Sequence, residues 1–454
     1  MQATENKYIR FIDFPNLISW DVKKNRALEN QKYSKYEYVK LGDILKQIKR
    51  VVDLNPTTEY KLLGVKSYGL GAFHREVKKG SEIKAKYLWR LKQGDFVYSR
   101  LGASSGSFSL LSNDFDNYFV SNEFPTFTLV SHKIDPQYLN LVLISKCFYE
   151  KIADFNTGSA LKRFHEEKFL SLQIPLPSIK EQQTLVANFY NKIDNAASST
   201  RKAYDLEVEV EKYFFSVLGI DERKSFELKK GLNLIEYTNL SKWSLNHINK
   251  DVYDFESAKF KTERVKNLLT FFEGGKTPSK SRNDFWDGDI YWTSPKDFNG
   301  RILIEKAEDK ITKLAVKEAG MKVYPKGTFL SVFRSGILQH SFPTAITEIE
   351  TAINQDLKAY SLKEDLIDKY YYLYFVHTFK KYILSLASKK SVTVESINTE
   401  DFFEIQIPLP PIHIQNEIAS NISNLISKIE KSKLNATNLK NEAEQQFEKA
   451  IFNH

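Results

Sequence analysis

Apolar residues recur with a helical period along two long stretches, and the two stripes match position by position. Positions 418, 422, 425, 429, 432, 436, 439, 443, 446 and 450 carry Ile, Ile, Leu, Ile, Ser, Ala, Leu, Ala, Gln and Ala, eight of ten apolar. Moving back by 233 gives Leu185, Phe189, Lys192, Ala196, Ser199, Ala203, Leu206, Val210, Tyr213 and Val217, again eight of ten. The alternating steps of four and three average 3.5 residues, the coiled-coil period. Proline is tolerated in the first turn of a helix but not inside it, so Pro177 and the pair Pro410 and Pro411 mark the two starts. The pattern predicts two uninterrupted helices of about 40 residues, about 60 Å long at the α-helical rise. Each is the other's simplest apolar partner. Leu185, Phe189, Leu206 and Val210 on the first, with Ile418, Ile422, Ile429 and Leu439 on the second, form the expected spacer and partner interface.

Before each helix the pattern changes. Short β-branched and aromatic runs (DFVYSR, FPTFTLV, TFLSVF) alternate with Gly, Asn and Asp turns, and helical patterns are interspersed (DPQYLNLVLISKCFYEKI, DKYYYLYFVHTFKKYILSL). These mixed regions also repeat. "QIPLP" occurs at 173–177 and at 406–410, and the offset of 233 also matches Ile179 with Ile412, Gln182 with Gln415 and Gly94 with Gly327. Further upstream the register slips, yet "NLISW" (16–20) answers "NLSKW" (239–243), and "YVKLGDIL" (38–45) answers "RVKNLLTF" (264–271). A period this long means duplicated domains rather than a solenoid. The expected fold is therefore α+β: a tandem duplication of a mixed α/β globular domain followed by a long helix. The two helices pair as an antiparallel coiled-coil spacer. The expected bounds are 1–177 and 221–410 for the globular domains, 178–220 and 411–454 for the helices.

Composition narrows the chemistry. At 454 residues with 13% aromatics, the chain carries enough apolar matter for two or three folded domains. Its net charge of +9 suits an acidic partner such as nucleic acid. A single cysteine, Cys147, excludes a disulfide framework and a cysteine zinc site and fits a reducing cytosol. The opening residues lack the apolar core of a signal peptide, and "YYYLYFV" (370–376) is too short to cross a bilayer, so no membrane association is expected.

"FFEGGKTPSKS" (271–281) contains Gly-Lys-Thr, the close of a phosphate-binding loop, but that loop needs a glycine five residues before Gly275, and Thr270 stands there. Gly69-Leu70-Gly71 is a lone G-x-G better read as a turn. The eight histidines are scattered without an H-x-x-x-H pair. No catalytic, cofactor-binding or metal-ligating residue is assigned. Loops combining Lys or Arg with Ser, Thr, Asn or Gln fit DNA contact better, because such side chains meet phosphates and base edges. The candidates are Lys66, Arg100, Ser104, Ser105, Lys162 and Arg163 in the first copy, and Lys276, Thr277, Ser279, Lys280, Lys296 and Arg334 in the second. Arg100 and Arg334 are expected just after corresponding strands.

Taken together, "EGGKTPSKSRNDFWDGDIYWTSPKDFNG" (273–300), "SLQIPLPSIKEQQTLVANF", "EIQIPLPPIHIQNEIASNI" and the doubled arrangement resemble the DNA-specificity subunit of type I restriction-modification systems. The first copy departs from the opening signature, with "LNPTTEYKLLGVKSYGLGAF" in its place. The resemblance implies a non-catalytic reader of double-stranded DNA with no cofactor of its own. Each globular domain would be a target recognition domain for one half of a gapped site. Two methyltransferase subunits would bring S-adenosylmethionine, and restriction subunits would use ATP and Mg. The rival readings are a tandem protein–protein scaffold and a diverged DNA-modifying enzyme.

Overall fold

The computed structural model describes residues 35–154, 163–220, 258–389 and 394–452. The matching "NLISW" and "NLSKW" segments and Lys162 lie outside the described residues. Two compact units emerge: residues up to Thr200 together with those from Leu434 onward, and Arg201–Lys433.

In the first unit a four-stranded sheet runs in the order Leu45–Ile48, Thr126–Leu129, Phe96–Tyr98, Phe108–Leu110. A five-stranded sheet runs Val51–Asp53, Tyr87–Arg90, Phe119–Val120, Glu59–Val65, Ala72–Lys79. The second unit repeats this plan. Its first sheet runs Leu269–Gly274, Leu357–Leu362, Phe329–Val332, Thr344–Thr347, with Leu303–Ile304 added at the edge. Its second runs Asp309–Ile311, Trp286–Thr293, Thr351–Ile353, Val323–Tyr324. In both units the second sheet is mixed: Glu59–Val65 lies parallel to Phe119–Val120, as Trp286–Thr293 lies parallel to Thr351–Ile353. The first copy, which lacks the opening signature, therefore keeps the framework and changes what connects it.

The duplication extends to buried polar groups. Gln182 is fully buried, accepts from the backbone N–H of Asp135 (2.7 Å) and donates to the carbonyls of Lys133 and Pro177. Gln415 does the same with Asp368 N–H (2.8 Å), Leu366 and Pro410. Asp135 and Asp368 each cap a helix, Pro136–Ile144 and Lys369–Thr378, by accepting two N–H groups of its first turn. Tyr138 and Tyr371 donate to the carbonyls of Pro175 and Pro408. All of these pairs keep the offset of 233.

The upstream register differs from the sequence match. Tyr38 pairs with Pro175 and Thr262 with Pro408, so Tyr38 corresponds to Thr262 and not to Arg264. The shared Val-Lys dipeptide drew the sequence match two residues off; the structural equivalents are the buried pairs Leu41, Ile44 and Val265, Leu268.

The two long helices span Ile179–Leu218 and Ile412–Phe452, 40 and 41 residues. Within the first unit Lys192 pairs with Glu442 (2.9 Å), and Asn435 donates to Ser199 (2.9 Å). Within the second, Lys433 pairs with Glu207 (2.7 Å) and Asn421 donates to Tyr213 (2.7 Å). As numbers rise on one helix they fall on the other, so the pairing is antiparallel. Ala196, Ala203, Val210, Ile418, Ile422, Ile429, Ala436 and Ala443 are buried along the seam, whereas Leu185, Phe189, Leu206 and Leu439 are half-buried.

Past Val210 and Ala443 the stripe leaves the predicted steps. Gln446 is exposed, and the buried positions become Phe214 with Leu218 and Phe447 with Ile451. There each helix packs onto a globular core: Phe214 meets Tyr371, Phe375 and Phe379, and Phe447 meets Tyr138.

Candidate nucleic-acid interface

In the first unit, strands Glu59–Val65 and Ala72–Lys79 form an antiparallel hairpin closed by a tight connection, Lys66 N–H to Gly71 O (2.9 Å). Tyr68 (φ 59°), Gly69 (68°) and Gly71 (76°) all sit in the left-handed region, which explains the two glycines. The tip is pinned to the loop that follows strand Phe96–Tyr98. Tyr68 N–H donates to Ser105 O (2.6 Å), Gly69 N–H to Gly106 O (3.1 Å), and Ser67 and Ser107 hydroxyls meet at 3.1 Å. Lys66, Ser104 and Ser105 are thereby brought onto one surface, with the Lys66 ammonium 5.3 Å from the Phe73 ring centre.

Both candidate arginines of this copy are tied to carboxylates. Arg100 donates to Glu166 (2.5 Å), with both side chains mostly covered, and Gln47 donates to the same carboxylate oxygen (3.0 Å). Burial pushes Glu166 up, yet the hydrogen bonds from Arg100, its own backbone and Gln47 hold it below the ordinary carboxylate value. Arg163 forks onto Glu123 (2.9 and 3.1 Å). Arg100 and Arg334 both fall just after corresponding strands, Phe96–Tyr98 and Phe329–Val332, but are not counterparts residue for residue. Phe164 N–H bonds to Arg100 O, whereas the equivalent Ile397 N–H bonds to Phe333 O, so Arg334 falls one residue later. Arg334 instead reaches Asp356 (2.6 Å), the offset counterpart of Glu123. One acidic position thus takes an arginine in both copies, from different segments.

In the second unit the 275–282 loop is held by indoles. Trp292 donates to Lys276 O and Trp286 to Ser279 O, each at 3.1 Å, and the two rings meet edge-to-face at 5.2 Å. Thr277 hydrogen-bonds to Gln355, Ser279 meets Ser281 at 2.8 Å, and Pro278 is buried. Lys276 and Lys280 are exposed, and neither forms an ion pair among the described residues. Arg282 closes the loop by pairing with Asp284 and Glu318 while covering the Phe285 ring at 4.2 Å. Lys296 is bound by Glu308 (3.1 Å) and Asp309 (3.0 Å), and Asp309 foremost raises its pKa. The neighbouring Ser294 and Asp297 form a reciprocal cap that fixes the Ser-Pro-Lys-Asp turn.

Gly275 is required by space. A Cβ there would overlap the carbonyl oxygens of Ile353 and Asn354. Gly275→Ala is expected to cost the second unit about 2 kcal/mol, as substitutions that force backbone apart do. A urea midpoint for that unit within error of the parent would refute the close-approach account.

Trp286, Trp292 and Gln355 were not singled out from the sequence; the two tryptophans six apart were the readable signal. Among the described residues no group of three or more His, Cys, Asp or Glu is placed to hold a metal ion. Burial pushes the Cys147 thiol up to about 12, so it stays protonated. No described helix is long and apolar enough to cross a membrane.

The chain matches the Type I restriction modification DNA specificity domain twice, over residues 26–208 and 258–439, and so belongs to that family. It is 33% identical over 181 residues to the EcoR124I/EcoR124II specificity subunit of Escherichia coli, covering 40% of this chain and 44% of that one. This segment thus spans less than half the length of the E. coli relative. A longer match, 23% over 423 residues, covers 83% of this chain and 90% of the HindI specificity subunit of Haemophilus influenzae. A chain from a solved structure of the type I R-M system superposes with a TM-score of 0.58 at 16% identity, covering 91% of this chain and 97% of that one. At that identity the likeness speaks for the fold.

Proposed function

We propose that the protein is the non-catalytic subunit that reads a bipartite, gapped DNA site and directs adenine methyltransferase and restriction subunits to it. The observation that carries this reading is one framework built twice with different loops upon it. Trp-anchored Lys276, Thr277, Ser279 and Lys280 stand in one copy, and a pinned hairpin tip in the other. Equal frameworks with unequal loops suit two different half-sites. In this reading residues 1–177 and 221–410 carry the two recognition domains, and the paired helices set the gap. Two attachment surfaces of one design suit two methyltransferase subunits. Those partners would supply S-adenosylmethionine, and restriction subunits ATP and Mg, so this chain needs no cofactor. Its excess of +9 favours the polyanion.

The test is selection from a random duplex pool by the full chain with its methyltransferase subunits. A motif of two short blocks separated by a fixed unread gap is expected. Affinity should fall steeply with salt, since each phosphate contact releases counterions. A single contiguous motif, or binding indifferent to salt, would remove the proposal.

A further inference from the structure

Exposed large apolar side chains cluster at one built place in the first unit. Tyr68 is 71% and Leu70 70% exposed, and Leu101, in the loop that pins them, is 45% exposed. The exposure is not a by-product of a loose loop. Three hydrogen bonds tie the tip to residues 105–107, and Gly69 packs so closely on Ile144 that a Cβ would lie 3.1 Å from it. Tyr68 is moreover held at φ 59°, a conformation that bulky residues avoid. The second unit hides its apolar residues at the corresponding connection, between strands Trp286–Thr293 and Asp309–Ile311: Phe298 is 1% and Ile304 0% exposed. Solvent exposure of Tyr68 and Leu70 is therefore specific to the first copy.

The surroundings indicate what covers them. Between 59 and 90 the chain carries eight Lys and Arg against three Glu, an excess of five within a chain whose total is +9. Glu76 is shared by Arg75 and Lys78, and Lys66 stands at the tip itself. An apolar point on a basic two-stranded ribbon, whose outer strand Ala72–Lys79 is a sheet edge, matches the major groove in shape and charge. That groove is about 12 Å wide, admits a β-ribbon, and presents one apolar group, the C5-methyl of thymine.

We infer that the Tyr68–Leu70 tip enters the major groove of the half-site read by the first unit and recognises thymine by contact with its methyl group. The inference rests on the DNA-reading function proposed above. Lys66 and the ribbon lysines hold phosphates, Ser104 and Ser105 flank the tip, and Tyr68 and Leu70 supply discrimination that polar groups cannot.

The test compares the selected duplex with one in which uracil replaces every thymine of that half-site, which removes the methyl and leaves base pairing intact. The full chain with its methyltransferase subunits should bind the uracil duplex about fivefold more weakly, the lower end of a base contact's discrimination. A Tyr68→Asn, Leu70→Ser double variant should bind both duplexes alike, while its preference in the other half-site is unchanged. Asn accepts the left-handed backbone, and both side chains are largely outside the core, so the fold is retained. Parent binding indifferent to uracil overturns the inference, as does thymine preference kept by the variant. So does a variant that loses its methyltransferase subunits, which would make the tip a protein contact. If the parent selects no gapped duplex at all, the proposed function itself fails, an outcome distinct from these.

Discussion

Ending the chain at Gln446 is expected to unfold the first unit and spare the second. Phe447, Ile451 and Phe452 are 4%, 0% and 6% exposed and belong to the first unit's core, where Phe447 meets Tyr138 and Phe189. Losing a buried Phe costs about 3–5 kcal/mol and a buried Ile about 2–5. Even with partial relaxation, the total rivals the roughly 5–15 kcal/mol that holds a typical domain together. Glu448, which accepts from the Cys147 backbone N–H at 3.1 Å, goes with them. Hydrogen exchange should show protection lost across strands Thr126–Leu129 and Phe96–Tyr98 and kept in Leu357–Leu362. Unchanged protection in both units would mean that the last helical turns decorate this core without completing it.

The second large effect is expected from a side chain that is itself fully buried. Gln415→Met keeps the volume and removes all three hydrogen bonds. That leaves the Asp368 N–H and the Leu366 and Pro410 carbonyls without this partner in a closed site. Each unsatisfied buried group costs about 1–3 kcal/mol, so a loss of about 3 kcal/mol is expected. Gln182→Met should do the same to the first unit, through Asp135, Lys133 and Pro177. The exposed neighbour Gln183→Met is the control, with a change near zero. A loss below about 1 kcal/mol at Gln415 in urea denaturation would show that water can replace the glutamine. These residues lock the start of each long helix to the capped turn of a short one, so the same variants should also alter the angle at which the helix departs.

What the sequence disclosed followed from periodicity. The long helices and their pairing belong to a stripe of 3.5-residue spacing, and their starts to the prolines before them. The matched glutamines were visible as matched letters, although not as matched networks. The stripe failed where its cause changed: beyond Val210 and Ala443 the helices pack on the globular cores as well as on each other, and burial moves to steps of four. The strand register failed where a two-letter match outweighed a slipped frame. Arg100 illustrates a further limit. Its partner Glu166 is 66 positions away, and nothing local tells an arginine paired with a carboxylate from one offered to solvent. Lys66, Ser104 and Ser105 meet only because the hairpin tip folds onto the next loop.

The joint membership of the first unit has a consequence in time. Its strands and short helices are complete by residue 200, but Phe447, Ile451 and Phe452 leave the ribosome some 250 residues later. At typical synthesis rates of about 5–20 residues per second that is a wait of roughly 10–50 s. Throughout it the first unit holds an open apolar face beside Tyr138 while the second is being made. The order of synthesis and the order of completion are therefore opposed: the part translated first is finished last, and the second unit can close before it.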